Sequence, residues 1–341
     1  MIVTYHVYGR FRKRYSPFKG FTGLMVRGLL GYSLKNLVCM KSEVKACIEC
    51  EYYGKCIYSK MMETTSRVKP SAKIAKKGGL AGITKPYTVT PLRIHGINLS
   101  FSVNLFGLEM ISNEPLIILA LLDMGCHGLG VDSTLRERRK FTVEKIVMTR
   151  PKEEAKRIVY TFEDGYRYAH ITQYYKDILE PFEYSARRIV YEKPKSVIIS
   201  FKTPVRVTRR HEVMKEIPME AIVMNLARKY SLLCEYYNVG NPLKVEEARA
   251  LRDLVRENVK LVNSRYRVVR LHRYSIDWKK RQSLGEFVKG DYTYSIEREF
   301  WKDYEALLMI KLLLLGKYTH VGTFASAGCG CYDIYWGVCE E

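Results

Sequence analysis

The chain has 341 residues, and its 57 lysines and arginines against 36 aspartates and glutamates leave a formal charge of +21. That length suits two domains of ordinary size, and such an excess of positive charge points to a polyanionic partner. The longest apolar runs, residues 115–124 and 307–315, are about half of the roughly 20 residues a spanning helix needs, and no signal-like apolar region opens the chain, so a cytoplasmic protein without a membrane partner is expected.

Residues 2–8 (IVTYHVY) alternate as a strand does, and residues 21–38 carry Leu24, Leu29, Leu30, Leu34 and Leu37 at helical spacing. Cysteines follow. The chain has nine, an odd number, and four crowd together as Cys39, Cys47, Cys50 and Cys56, a pattern of metal chemistry rather than disulfides. Cys47 and Cys50 form a knuckle, and Cys39 and Cys56 complete a tetrahedral set for structural zinc; an iron–sulfur cluster would use the same thiolates. Four thiolates leave no open position for water, so the expected role is to pin an insertion over about residues 39–85, with no cofactor required for catalysis.

A short extended piece at 87–89 precedes residues 97–106, which alternate cleanly. Asn113 can cap a helix with Pro115 in its first turn, and residues 141–148 read as a further strand. The order is β-α-β-β-α-β. It recurs from Ser196: a strand (VIISF), a helix opened by Pro218, a polar helix at 245–259, strands at 265–276 and 285–296 separated by the basic turn DWKKRQS, a helix at 300–315 and a strand at 332–336. The expected fold is therefore α+β, with two tandem ferredoxin-like (RRM-like) domains, 1–190 carrying the cysteine-rich insertion and 191–341 carrying a glycine-rich loop. Many readers of single-stranded RNA use this fold, and the 26 tyrosines, many interleaved with basic residues, offer faces on which bases can stack.

The glycine-rich loop follows the last helix as GKYTHVGTFASAGCGCYDI. Gly322, Gly328 and Gly330 either let phosphates approach backbone amides or satisfy a tight turn, and the charge favours the first. Arg12, Lys13 and Arg14 ahead of the first helix, Arg209 and Arg210, and Lys279, Lys280 and Arg281 in the basic turn are candidate phosphate contacts.

Taken in order, LMVRGLLGYSLKNLVC, the CIEC and KCIYSKMM segment, GINLSFSVNLFG, GCHGLG, SVIISFKTPVRV, RYSIDWKKRQSLGEFVKGDYTY and GKYTHVGTFASAGCGCY resemble the CRISPR-associated RAMP superfamily over nearly the whole chain. The resemblance is to its repeat-cleaving endoribonucleases, the sixth Cas family, in the subfamily with a four-cysteine cluster in the first domain. It implies a partner in CRISPR repeat RNA or crRNA, subunits of an effector complex as further partners, and a monomer or homodimer. It also implies metal-independent attack of a 2′-hydroxyl on the adjacent phosphate, leaving a 2′,3′-cyclic phosphate and a 5′-hydroxyl. A catalytically silent RAMP subunit, binding guide RNA through the same fold, is the alternative.

Such chemistry needs a base near the 2′-hydroxyl, an acid near the leaving oxygen and cations around the phosphorane. His320, which begins the loop, is the first candidate for acid or base, or else holds the loop through a backbone hydrogen bond. Lys317 and Tyr318 flank the same turn as secondary candidates, and His95 and His211 are lesser ones. In other branches of the family a catalytic His follows the first helix, whereas here none occurs between His6 and His95.

Overall fold

The computed structural model describes residues 1–63, 83–153, 155–168, 171, 174–209, 211–275 and 280–337. They form two compact units, one from the described residues up to Lys176 together with Tyr236–Val239, the other from Asp177–Glu235 and the described residues from Gly240 on.

In the first unit the elements are β1 (Ile2–Phe11), α1 (Gly23–Val38), α2 (Ile57–Met62), β2 (Tyr87–Val89), β3 (Arg93–His95), β4 (Asn98–Phe106), α3 (Leu108–Ser112), α4 (Glu114–His127), β5 (Leu129–Val131), β6 (Arg138–Arg139), β7 (Phe141–Thr149), β8 (Arg157–Thr161) and β9 (Gly165–Tyr166). The main antiparallel sheet runs β2-β4-β1-β7-β8-β9, with β3 also on β4. Its central strand follows the period of two set by the pleat. Val3, Tyr5 and Val7 join Val26, Leu30 and Leu34 of α1 and Ile117, Leu121 and Met124 of α4 in one core, while Thr4, His6, Tyr8 and Arg10 point to the other face. The phenol of Tyr5 donates to Glu114 at 2.6 Å, so the buried hydroxyl and the buried carboxylate satisfy each other.

The second unit contains α5 (Glu183–Glu192), β10 (Ser196–Phe201), β11 (Thr208–Arg209), β12 (Glu212–Val213), α6 (Met219–Tyr237), α7 (Val245–Asn258), β13 (Val259–Ser275), β14 (Lys280–Ile296), α8 (Tyr304–Thr319) and β15 (Tyr332–Gly337). Its four-stranded sheet runs β13-β14-β10-β15. Both sheets therefore carry the 2-3-1-4 strand order of a ferredoxin-like unit, read twice from the sequence and present twice in the chain. The division falls after residue 176 rather than 190, because α5 packs on α8 and Glu183 pairs with Lys311 at 3.0 Å.

Three features depart from the sequence reading. Some of the tyrosines are core residues and not stacking faces: Tyr292, Tyr294 and Tyr332 are fully buried in the second unit. Their hydroxyls donate to the carbonyls of Lys215, Ile217 and Leu313 at 2.7, 2.6 and 2.7 Å, which removes the cost of burying a polar tip. Residues 280–283, expected in a turn, are strand, because β13 and β14 pair from Val259 to Ser275 against Ile296 to Lys280. The first sheet is also extended by the β8–β9 hairpin, whose strands were too short to show a period. Among the described residues no helix is long and apolar enough to cross a membrane.

Candidate nucleic-acid interface

The glycine-rich loop is built from the end of α8. His320 caps that helix with φ +58°, and its N–H donates to Gly316 O at 2.8 Å. The imidazole is buried, 1% exposed, with Nδ1 3.2 Å from Ala325 O. Its Nε2 has no hydrogen-bond partner among the described residues. Burial, aided by the charge of Lys229, pushes its pKa down to about 3. His320 is thus a neutral ring that braces the loop, and its inaccessibility removes it as the acid or base.

The glycines make the loop possible in a different way from the one expected. Gly322 has φ +78°, and a Cβ there would lie 2.3 Å from Arg206 O; at Gly330, with φ +72°, it would lie 1.8 Å from Val321 O. Their N–H groups donate to Asn225 Oδ1 at 2.8 Å and to Pro204 O at 2.9 Å, and that of Gly328 donates to Ala325 O at 2.9 Å. These amides are engaged inside the protein and cannot also cradle a phosphate. The exposed edge of the loop is Thr323 and Phe324.

Beneath that edge lies the segment after β10. Thr323 N–H donates to Arg206 O at 3.0 Å, and the Arg206 guanidinium donates to Leu284 O of β14 at 2.6 Å. Phe324 meets Phe287 of β14 at 6.1 Å between ring centres. Loop, hairpin base and the 202–213 segment therefore form one surface within the second unit. Arg209 is exposed on β11, and His211 is exposed at the β11–β12 turn with φ +72°. Lys317 is exposed in the last turn of α8, where a cation suits the helix dipole. Tyr318 packs against Phe182 at 5.8 Å, and burial raises its pKa. Arg210 and Lys279 lie outside the described residues; Lys280 and Arg281 open β14.

In the first unit Arg12, Lys13 and Arg14 are exposed on the connection after β1, with Lys13 paired to Glu137 at 2.7 Å. That connection is pinned by Asp132, a residue the sequence reading passed over. Asp132 accepts from Ser16 N and Ser16 Oγ, both at 2.7 Å, and faces the buried Arg139 at 3.4 Å. His95 is exposed on β3.

The four cysteines line one cavity of about 250 Å³. Cys39 follows α1, Cys47 and Cys50 bracket a single 3₁₀ turn, and Cys56 precedes α2. The donor set is that of a soft metal, yet no group of three or more His, Cys, Asp or Glu side chains among the described residues is arranged to hold an ion.

Lys229 was also missed, and it had a signal. It falls on the apolar stripe of Leu226, Tyr230 and Leu233 in α6, where a lysine has to be buried with a partner.

Residues 2–172 match a family model described as AF_1859_N, N-terminal domain, and residues 199–332 match that of the CRISPR-associated endoribonuclease Cas6. Among solved structures, a product complex of Cas6 (TTHB231) is 14% identical, covering 98% of this chain and 100% of that one, with a TM-score of 0.53. Thermus thermophilus Cas6 (TTHB231) is 15% identical over 98% of each chain, with a TM-score of 0.51. A partial Cas6-RT-Cas1–Cas2 complex is 11% identical, covering 99% of this chain and 46% of that one, with a TM-score of 0.54. These likenesses show the double ferredoxin-like fold. No curated protein matches the sequence.

Proposed function

We propose that the chain, whose residues 199–332 match the family of the CRISPR-associated endoribonuclease Cas6, cuts precursor CRISPR RNA within the repeat to release guide units. The observation that carries this reading is the span of the family match, residues 199–332, which includes the glycine-rich loop and the cationic surface beside it.

The reaction we assign is transesterification by the RNA itself. The 2′-hydroxyl gives its proton to a base and attacks the adjacent phosphorus; the bond to the 5′ oxygen breaks, and that oxygen takes a proton. A 2′,3′-cyclic phosphate and a 5′-hydroxyl result, and no metal enters the step. Holding the 2′ oxygen in line with the leaving oxygen lowers much of the barrier, and cations stabilise the phosphorane. Arg209 and Lys317 are exposed and suited to the second task. With His320 buried, we assign as acid or base the imidazole of His211, exposed at the β11–β12 turn beside Arg209.

The burial of His320 also favours a second reading, a silent RNA-binding subunit of a CRISPR effector complex. Incubating the pure protein with end-labelled repeat RNA in EDTA separates the two. Site-specific cutting with cyclic phosphate ends supports the nuclease; tight binding without cutting supports the subunit.

We further propose that Cys39, Cys47, Cys50 and Cys56 hold one structural zinc, supported by their shared cavity and thiolate chemistry. When bound, the ion would supply a cross-link between the ends of α1 and α2. Close to one zinc per chain by elemental analysis, lost in the Cys47→Ser/Cys50→Ser double variant, is expected; iron with acid-labile sulfide would point to a cluster.

A further inference from the structure

A groove of about 620 Å³ opens beside the sheet of the first unit, at the end of β1 and β7 and under the β8–β9 turn. Arg10, Arg12, Glu144, Lys145, Phe162 and Glu163 line it. Phe162 is the unusual member, because its ring is 66% exposed at the tip of a turn. The backbone that carries the ring is nevertheless fixed in place. Phe162 N–H donates to Glu144 O at 2.9 Å, and the hydroxyl of Thr161 is bonded to Asp164 Oδ2 at 2.9 Å and to Asp164 N at 3.0 Å. An apolar ring held in water gains nothing for the fold and offers a ready stacking surface.

Three cations and two carboxylates, Glu144 and Glu163, share the groove with the ring. Arg10 pairs with Glu144 at 3.2 Å, which holds the guanidinium in place at the groove. Arg12 and Lys145 carry no ion pair among the described residues. The backbone beneath is fixed as well, since Phe11 N–H and Arg12 N–H donate to Ile97 O and Lys140 O at 2.9 and 3.1 Å. The volume suits one nucleotide, as binding clefts for small ligands run from about 300 to 1,000 Å³.

We propose that this groove binds one unpaired nucleotide of the RNA, its base stacked on Phe162 and its phosphate between Arg12 and Lys145. Base stacking on an aromatic ring with flanking cations is how single strands are held without reading their sequence. The proposal rests on the chain being an RNA-binding protein, but not on its cutting RNA.

The test uses the full chain and a fluorescein-labelled ten-nucleotide oligouridylate carrying one 4-thiouridine. On irradiation, cross-links are expected in the peptide containing Phe162. Phe162→Ala should raise the Kd about tenfold and Lys145→Ala several-fold, while Phe162→Trp keeps the affinity. Failure of the probe to bind, cross-links confined to other peptides, or Phe162→Ala and Lys145→Ala both within twofold of the parent would each overturn the groove. Cleavage of repeat RNA is read separately. No cleavage together with groove-dependent binding sinks the nuclease reading alone; cleavage together with unchanged probe affinity in Phe162→Ala sinks the groove alone.

Discussion

The ammonium of Lys229, in the middle of α6, donates to the main-chain carbonyl of His320 at 2.6 Å and faces that of Thr319 at 3.5 Å. The last carbonyls of a helix have no partner within it, and here a buried cation from a neighbouring helix serves those of α8. One lysine thus fixes the point from which the glycine-rich loop departs.

Lys229→Met is expected to leave two buried carbonyls without their donor, at about 1–3 kcal/mol for an unsatisfied group. The substitution also has a pH signature. Burial, with the charge of Arg228, pushes Lys229 down to about 7 in the folded protein, whereas in the unfolded chain it titrates near 10.4. Between those values only the unfolded state holds the proton, so this group makes stability rise from pH 7 to about 10. Urea unfolding at pH 7 and pH 9.5 should show that the increment belongs to the parent and is missing in Lys229→Met.

His320 gives the complementary result on the acid side. Its folded pKa is depressed to about 3, so its contribution is complete above about 6.5 and is lost progressively as pH falls toward 3. The loss amounts to at most about 5 kcal/mol if the whole shift is expressed. The backbone at His320, φ +58° and ψ 165°, is strained for any side chain, so His320→Asn adds no backbone strain of its own and should fold and lose less stability on acidification. Because a buried ring of pKa 3 does not titrate near neutrality, the pH–rate profile of single-turnover cleavage should keep its shape in His320→Asn. His211→Ala, in contrast, should slow the reaction by about 10²-fold or more, the usual scale for losing a general acid or base.

The two ferredoxin-like units were legible because a 3.6-residue period and a two-residue period alternated in the same order twice. Strand pairing then left few topologies to choose from. What the sequence concealed was the destination of individual side chains. Gly322, Gly328 and Gly330 marked a tight loop correctly, but whether the amides of Gly322 and Gly330 faced a ligand or the protein depended on Asn225 and Pro204, far away in the chain. His320 looked accessible because glycines surround it; its burial is set by α6, which approaches it from 91 positions earlier. Tyrosines read as RNA platforms could not be separated from core tyrosines until their hydroxyls were seen on backbone carbonyls.

Two alanine substitutions separate the loop glycines from an ordinary helical one. Gly322→Ala puts a Cβ 2.3 Å from Arg206 O at φ +78°, and the backbone of the 202–213 segment would have to move. A loss of about 1–3 kcal/mol is expected from the strained backbone alone, together with weaker RNA binding. Gly28, on the exposed side of α1, meets nothing within 4 Å. Gly28→Ala should therefore raise stability by about 0.5–1 kcal/mol through helix propensity. Thermal melts of the two variants should move in opposite directions.

The basic connection after β1 supplies a test of how rigidity and charge divide the work of binding. Asp132 is held well below the usual carboxylate range, first by the N–H of Leu135 and then by the hydroxyl of Ser16. As an acid whose folded pKa is depressed, it stabilises the connection above about pH 4 and releases it as pH falls lower. Asp132→Asn keeps the shape but loses the charge opposite Arg139, so a lower melting temperature at pH 7 is expected, with the difference from the parent closing toward pH 2. The cations on the connection answer to salt instead. Each phosphate contact contributes about 0.7 to the slope of log K against log salt for a single strand. Arg12 and Arg14 are exposed, whereas Lys13 is already paired with Glu137 at 2.7 Å. Arg12→Ala/Arg14→Ala should therefore flatten the slope by about one to one and a half, and Lys13→Ala by much less. If Lys13→Ala flattens it as much as the double variant does, the pair with Glu137 does not hold in solution and all three cations are equivalent phosphate contacts.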